Sequence, residues 1–91
     1  MGLIFEWDIN KAKANVVKHN VSFEEAATVF GDERSLTIDD TAHSTQEKRK
    51  ITLGRSLNKH LLVVIHTERG AHIRIISARK ASRKEKRQYE K

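Results

Sequence analysis

The sequence has 91 residues, with 18 Lys and Arg, 12 Asp and Glu, five His, and neither cysteine nor proline. A chain of this length forms one domain with a modest core, which excludes large enzymes of the NAD or haem type. The lack of cysteine excludes disulfides, Cys-ligated zinc and thiol nucleophiles and favours a cytoplasmic protein. The longest apolar run, residues 61–65, is too short to span a membrane.

The net charge of +6 is unevenly distributed along the chain. Residues 1–47 carry four basic and nine acidic side chains, whereas residues 48–91 carry fourteen basic and three acidic ones. Such a basic half is either a solvated surface or a contact for a polyanion, which would be nucleic acid or an acidic protein.

The N-terminal third predicts one strand and two helices. Residues 3–7 alternate as a strand with Phe5 and Trp7 on one side. Asp8 is a good N-cap for a helix that ends at His19-Asn20. A capping box, Ser22 with Glu25, opens a second helix that Gly31 closes. The apolar stripes of the two helices are Ile9, Ala12, Val16 and Val17 in the first, and Phe23, Ala26, Ala27 and Phe30 in the second.

The remainder predicts strands and a final helix. Residues around Leu36 and Ile38, and around Ile51 and Leu53, alternate with a period of two on either side of a polar loop, residues 39–46. Residues 61–65 and 71–77 predict two further strands, and the Ser82 capping box begins a basic helix that runs through Tyr89. We therefore predict a small single α+β domain with an antiparallel sheet of about four strands, two N-terminal helices and a basic C-terminal helix.

The register of the last hairpin decides which side chains share a face. A three-residue loop, 68–70, pairs His66 with His72 and Val64 with Arg74. It places Leu61, Val63, Ile65, Ile73 and Ile75 on one face and His66, His72 and Arg74 on the other. A two-residue loop would scatter the polar groups among the apolar ones, so we predict the three-residue loop.

The polar side chains suffice for RNA cleavage without a metal. Transesterification needs a base near the ribose 2′-hydroxyl, cationic donors for the phosphorane and an acid for the 5′-oxygen. We predict that His66 and Arg74 form such a cluster on the open face, with Arg79 at the strand's exit. A lone His on a strand, however, is more often a packed residue.

The other candidate catalytic residues can also be explained by a purely structural role. Glu47 and Arg49 lie two residues apart and face one side of a strand, where a surface ion pair is the simpler interpretation. Lys18 ends the first helix, where the macrodipole also favours a cation. The five histidines lack the spacing of a metal site, so we expect neither a metal nor a cofactor: His19, His43, His60, His66 and His72.

Ordered blocks along nearly the whole chain resemble the BrnT toxin family. The blocks are Phe5-Glu6-Trp7-Asp8, Lys11-Ala12, Asn15, residues 18–26, Val29-Phe30, Glu47, Arg49, Gly54, residues 66–69, residues 73–81, Glu85 and Tyr89-Glu90. Asn20 stands where the family pattern has Gly, and Asn tolerates the left-handed conformation that such a turn needs.

The resemblance implies a bacterial type II toxin with a RelE-like fold over residues 1–91. Such a toxin cleaves RNA without a metal, inhibits translation and growth, and is neutralised by a BrnA-like ribbon-helix-helix antitoxin, which alone brings the complex to DNA. It implies an active face of Lys18, Glu47, Arg49, His66, Arg74 and Arg79, and RNA contacts from Arg83, Lys84, Arg87 and Tyr89. The alternative is a non-catalytic basic module that binds nucleic acid or an acidic protein.

Overall fold

The computed structural model describes residues 2–42 and 47–91. His43 and the second half of the predicted 39–46 loop lie outside these ranges. The elements in chain order are β1 (Ile4–Glu6), α1 (Ile9–His19), α2 (Phe23–Thr28), a 3-10 turn (Val29–Gly31), β2 (Leu36–Asp39), β3 (Lys50–Arg55), β4 (Leu61–Arg69), β5 (His72–Lys80) and α3 (Arg83–Tyr89).

The three helices begin where the sequence predicts. The Asp8 carboxylate accepts hydrogen bonds from the backbone of Asn10 and Lys11, and Ser22 caps α2 through the Glu25 amide. α3 has the full reciprocal capping box of Ser82 and Glu85. Asn20 ends α1 with a left-handed φ of 56°.

The Glu25 side chain does not return to Ser22. One of its carboxylate oxygens instead accepts a hydrogen bond from Ser56 Oγ at 2.7 Å and lies 2.7 Å from His60 Nδ1. Glu25 therefore ties α2 to the turn between β3 and β4. Gly31 closes the 3-10 turn rather than α2, which ends three residues earlier at Thr28.

The predicted apolar stripe of α1 is wrong except at Ala12, which is partly buried against the core. Ile9, Val16 and Val17 point to solvent, with Val17 89% exposed. The buried residue is Asn15, whose amide nitrogen donates to the carbonyls of Val21 and Ala78 and whose oxygen accepts from the Ala78 amide. Because these bonds satisfy backbone groups of Val21 and of Ala78 in β5, they outweigh the apolar stripe in orienting the helix.

The sheet has five strands and is mixed, not four-stranded and antiparallel as predicted. Its order is β1-β5-β4-β3-β2. β1 adds to the edge of β5 in the parallel direction, with Glu6 opposite Arg74, whereas all other neighbours are antiparallel. The first and last strands of the chain therefore lie side by side.

The predicted hairpin register is also wrong. Arg69 pairs with His72 and Thr67 with Arg74, so the loop contains only Gly70 and Ala71. Gly70 has a φ of +58°, and a positive φ at the first loop position is what tight two-residue hairpins require. A bulge on β5 then shifts the pairing so that Ile65 faces Ser77.

The register gives the sheet two different faces. α1 and α2 cover one face, where the core lies: Val21, Phe23, Ala26, Val29, Leu62, Val64, Ile73, Ile75 and Ala78. The opposite face, called the open face below, carries the other parity of β4, from Leu61 through Val63 and Ile65 to Thr67 and Arg69. α3 packs across one end of the open face, where Glu85 binds Arg79.

Candidate active site

A polar pocket of about 300 Å³ lies on the open face, at the end of the sheet where β4 stops and β5 begins. We call it the sheet-end pocket. Three strands and the segment before β3 contribute its lining, which is Glu6, Glu47, Thr67, Arg69, His72 and Arg74.

Glu6 organises one wall of the sheet-end pocket. One carboxylate oxygen accepts a hydrogen bond from Arg74 Nε at 3.3 Å, and the other lies 3.5 Å from His72 Nδ1. The parallel pairing of β1 with β5 sets this geometry, because it places Ile4 beside His72 and Glu6 beside Arg74. One carboxylate thus orients both an imidazole and a guanidinium.

The opposite hairpin strand supplies Thr67 and Arg69. Thr67 is cross-strand partner to Arg74 and Arg69 to His72, so the four side chains project from one face within two residues of each other along each strand. Together with Glu47, the sheet-end pocket combines two arginines, one histidine and two carboxylates. These are the cationic donors and proton-transfer groups that phosphodiester cleavage requires.

The sheet-end pocket unites two of the six residues of the predicted active face, Glu47 and Arg74. Arg49 is two residues from Glu47, and its carbonyl accepts a hydrogen bond from the Asp40 amide; its side chain is not part of the lining.

His66 does not lie on the open face, contrary to prediction. It is 0% exposed and lies on the helix-covered face, because the two-residue loop pairs it with Ile75 of the core. Its Nε2 shares a 2.7 Å hydrogen bond with Thr52 Oγ1, and the Phe30 ring packs edge-on at 4.8 Å. Burial, aided by the positive charge of Lys50, lowers the pKa of His66 to about 4, so the imidazole is neutral at physiological pH.

Arg79 and Lys18 are also outside the sheet-end pocket. Arg79 is on the open face, five residues beyond Arg74, where it donates two hydrogen bonds of 2.8 and 2.9 Å to Glu85. These bonds raise the pKa of Arg79 and lower that of Glu85 to about 2. Lys18 is exposed in the last turn of α1, the helix that packs on the opposite side of the sheet.

The four predicted RNA-binding residues lie in α3, at the other end of the open face. Arg83, Lys84 and Arg87 are exposed. The Tyr89 hydroxyl donates a 2.6 Å hydrogen bond to Asp32, which raises the pKa of the phenol. α3 is therefore a basic surface separate from the sheet-end pocket.

Sequence reasoning missed four lining residues: Glu6, Thr67, Arg69 and His72. Alternation along residues 3–7 already puts Glu6 on the side away from Phe5, but nothing local identifies β5 as the neighbour of β1. For Thr67 and Arg69 the two-residue register was the missing signal, since it places them opposite Arg74 and His72. His72 was predicted on the open face but was not assigned to the site.

The described residues contain neither a candidate metal site nor a helix that could span a membrane. Within 2–42 and 47–91, no three His, Asp or Glu side chains form a group that could hold a metal ion. None of the helices there is both long and apolar enough to cross a membrane.

Comparison with known proteins identifies the family. Residues 7–85 match the family model described as the ribonuclease toxin BrnT of type II toxin–antitoxin systems. The chain belongs to the BrnT ribonuclease toxin family. A comparison with curated protein sequences gives no significant match.

The fold agrees with this membership. The 1.1 Å crystal structure of the Brucella abortus ribonuclease toxin BrnT is similar to this chain with a TM-score of 0.64 and 23% sequence identity. The match covers 91% of this chain and 99% of that one. The five-stranded mixed sheet with its three helices is thus a BrnT-like fold, and the predicted small α+β class is confirmed.

Proposed function

We propose that this BrnT family toxin is an endoribonuclease that cleaves RNA in the sheet-end pocket without a metal ion, and that residues 1–91 form one toxin domain. The observation that carries the proposal is the convergence of Glu6, Glu47, His72 and two arginines in one pocket. Each step of RNA transesterification has a group of suitable chemistry there.

Residues of the sheet-end pocket have separate roles in the reaction. Glu47 accepts the proton of the ribose 2′-hydroxyl, and the 2′-oxygen attacks the phosphorus. Arg69 and Arg74 donate hydrogen bonds to the non-bridging oxygens of the phosphorane. The bond from phosphorus to the 5′-oxygen then breaks, and His72, as the general acid, gives a proton to that oxygen. The products are a 2′,3′-cyclic phosphate and a 5′-hydroxyl.

Glu6 positions this machinery rather than entering the reaction. It holds Arg74 and lies beside His72, so it fixes the donor and the acid relative to each other. Of the other residues of the predicted active face, Arg49 contacts a phosphate that flanks the cleaved one. Lys18, His66 and Arg79 lie outside the sheet-end pocket, away from the reacting atoms. Arg83, Lys84 and Arg87 attract the RNA backbone.

Cleavage in the presence of EDTA tests the proposal. Arg74→Gln and Arg69→Gln should each lower the cleavage rate about 100- to 1000-fold, because each removes a donor to the phosphorane. Lys13→Gln is the matched control, since it removes one positive charge from an exposed position on α1. Undiminished cleavage by both arginine variants would contradict the assignment, and activity that EDTA abolishes would contradict metal independence.

The proposed partner is a BrnA-like antitoxin with a ribbon-helix-helix domain, as the family resemblance implies. Production of the chain alone in bacterial cytoplasm should arrest growth, and production of the antitoxin with it should restore growth. A chain that is harmless alone, at wild-type levels of accumulation, would favour the non-catalytic basic module instead.

A further inference from the structure

A second cleft, of about 550 Å³, lies at the opposite end of the open face from the sheet-end pocket. It is bounded by the end of β3, the start of β2 and the last turn of α3. Its lining residues are Arg34, Leu36, Arg55, Gln88, Tyr89, Glu90 and Lys91. We call it the Tyr89 cleft. Three cations and one carboxylate border it, so its charge favours an anion.

The aromatic ring of the Tyr89 cleft is held in place from two sides. The Tyr89 hydroxyl donates to Asp32 Oδ2 at 2.6 Å, and the guanidinium of Arg55 lies 5.3 Å from the ring centroid. Asp32 Oδ2 also accepts the Arg55 amide at 2.8 Å. Asp32 therefore couples the ring to β3, and the ring is fixed before any ligand arrives.

The cations of the Tyr89 cleft differ in how they are engaged. Arg55 donates to the Lys59 carbonyl at 3.1 Å while its guanidinium carbon lies over the Tyr89 ring. Arg34 is exposed, and its guanidinium has no hydrogen-bond or ion-pair partner among the described residues. Arg34 is thus available to a phosphate, and a base can stack on the side of the Arg55–Tyr89 pair that faces away from their mutual contact.

A fixed aromatic ring beside cations is the chemistry that binds an unpaired nucleotide. Bases stack on aromatic side chains and guanidinium planes irrespective of sequence, while cations hold the backbone. We propose that the Tyr89 cleft is a second RNA site, which stacks one base of a single strand on Tyr89 and Arg55 and holds its phosphate with Arg34. This inference rests on the proposed function, because it extends the substrate of the sheet-end pocket.

The two sites are spaced for one strand. Leu61, beside Arg55, and Thr67, in the sheet-end pocket, are six residues apart on β4 and on the same face, which is about 20 Å. A nucleic-acid strand advances about 3.4 Å per nucleotide in a duplex, so the span corresponds to at most about six nucleotides. The protein thus selects single strands long enough to reach from one end of the sheet to the other.

Binding of a strand that resists cleavage tests the inference. A fluorescent 2′-O-methyl RNA oligonucleotide long enough to span both sites is titrated with the protein at several salt concentrations, and anisotropy reports the Kd. Tyr89→Leu should weaken binding about 10-fold through loss of one stack. Arg34→Gln should weaken it and lower the slope of log K against log salt by about one. Lys13→Gln, with the same loss of charge on α1, should leave the Kd near that of the wild type.

The variants distinguish folding from binding. Tyr89→Phe keeps the ring but loses the bond to Asp32, and it should bind better than Tyr89→Leu if the ring stacks on a base. Because Arg34 is exposed, its replacement should not change the melting temperature. Equal affinity of Arg34→Gln, Tyr89→Leu and Lys13→Gln would overturn the inference.

Failure of the proposed ribonuclease has a different signature. Absence of cleavage, with binding still weakened by Arg34→Gln and Tyr89→Leu, would refute the catalytic assignment and leave the Tyr89 cleft standing. Normal cleavage of RNA, with binding insensitive to both variants, would refute the Tyr89 cleft alone.

Discussion

The two faces of the sheet place polar side chains in opposite environments. On the helix-covered face, His66 is fully buried with Thr52 and Phe30 as neighbours. On the open face, His72 is exposed beside a carboxylate. The two histidines come from adjacent strands of one hairpin. Strand parity, not residue type, therefore separates the histidine that stabilises the fold from the one available for chemistry.

The largest expected effect follows from replacing the open-face histidine. His72→Asn should lower kcat/KM for RNA by about 100- to 10,000-fold, the usual contribution of a general acid. The melting temperature should stay within a few degrees of the wild type, because His72 is exposed. A cleavage assay and a thermal melt on the same preparation measure both quantities. Wild-type activity of His72→Asn would show that the general acid is a different residue.

The buried histidine should instead control stability as a function of pH. Its pKa is lowered from the ordinary 6.5 to about 4, so between these values the unfolded chain binds a proton that the folded protein does not. The free energy of unfolding should therefore fall as the pH decreases from 6.5 to 4, by about 3 kcal/mol in all. Urea unfolding at several pH values measures this slope.

Variants of the two histidines distinguish the contribution of His66 to this pH dependence from the contributions of other titrating groups. His66→Gln should flatten the dependence between pH 6.5 and 4, whereas His72→Gln should retain it. The Glu85 carboxylate, whose pKa is lowered from 4.5 to about 2, contributes stability that is lost as the pH falls from 4.5 to 2, which is almost entirely below the His66 range. An unchanged slope in His66→Gln would contradict the assignment of the slope to this residue.

On α1, the comparison is between a buried amide and exposed apolar side chains. Asn15→Ala leaves the carbonyls of Val21 and Ala78 and the Ala78 amide without their partner, and it should cost about 2 to 3 kcal/mol of unfolding free energy. Val17→Ala should change it by less than about 0.5 kcal/mol, since Val17 is exposed. Chemical denaturation measures both, and a larger loss for Val17→Ala would mean that α1 is rotated from its described orientation.

The smallest effect concerns the attachment of α3 to the open face. Arg79→Gln removes the two hydrogen bonds to Glu85, and because both side chains are partly exposed to solvent the loss should be about 1 kcal/mol. Amide hydrogen exchange should accelerate in residues 83–89 and stay unchanged in the sheet. The pKa of Glu85 should rise from about 2 towards its ordinary value. If Arg79→Gln slows cleavage but does not accelerate hydrogen exchange in α3, Arg79 has a catalytic role after all.

Local signals predict where each helix begins, whereas features that depend on distant contacts are not predicted. Asp8, Ser22 and Ser82 bond only to residues within a turn, so their caps are evident in the sequence. The orientation of α1 depends on Asn15 reaching Ala78, and the fifth strand depends on Ile4 meeting His72. Contacts between residues so far apart leave no periodic trace.

The candidate site likewise has some residues that the sequence identifies and others whose position depends on contacts between strands. Glu47 and Arg74 were chosen by residue type and family resemblance, and both line the sheet-end pocket. His66 was misplaced because one loop residue fewer moves every side chain of the hairpin to a different neighbour. The positive φ of Gly70 permits that shorter loop, and glycine permits either loop length, so composition alone does not decide between them.

The side-by-side placement of β1 and β5 has a consequence for synthesis of the protein. Glu6 leaves the ribosome long before His72 and Arg74, which lie more than sixty residues later in the chain. Because the sheet-end pocket needs all three side chains, a nascent chain that has not yet released β5 has no assembled pocket. The long-range pairing thus delays assembly of the sheet-end pocket until β5 has emerged and can pair with β1.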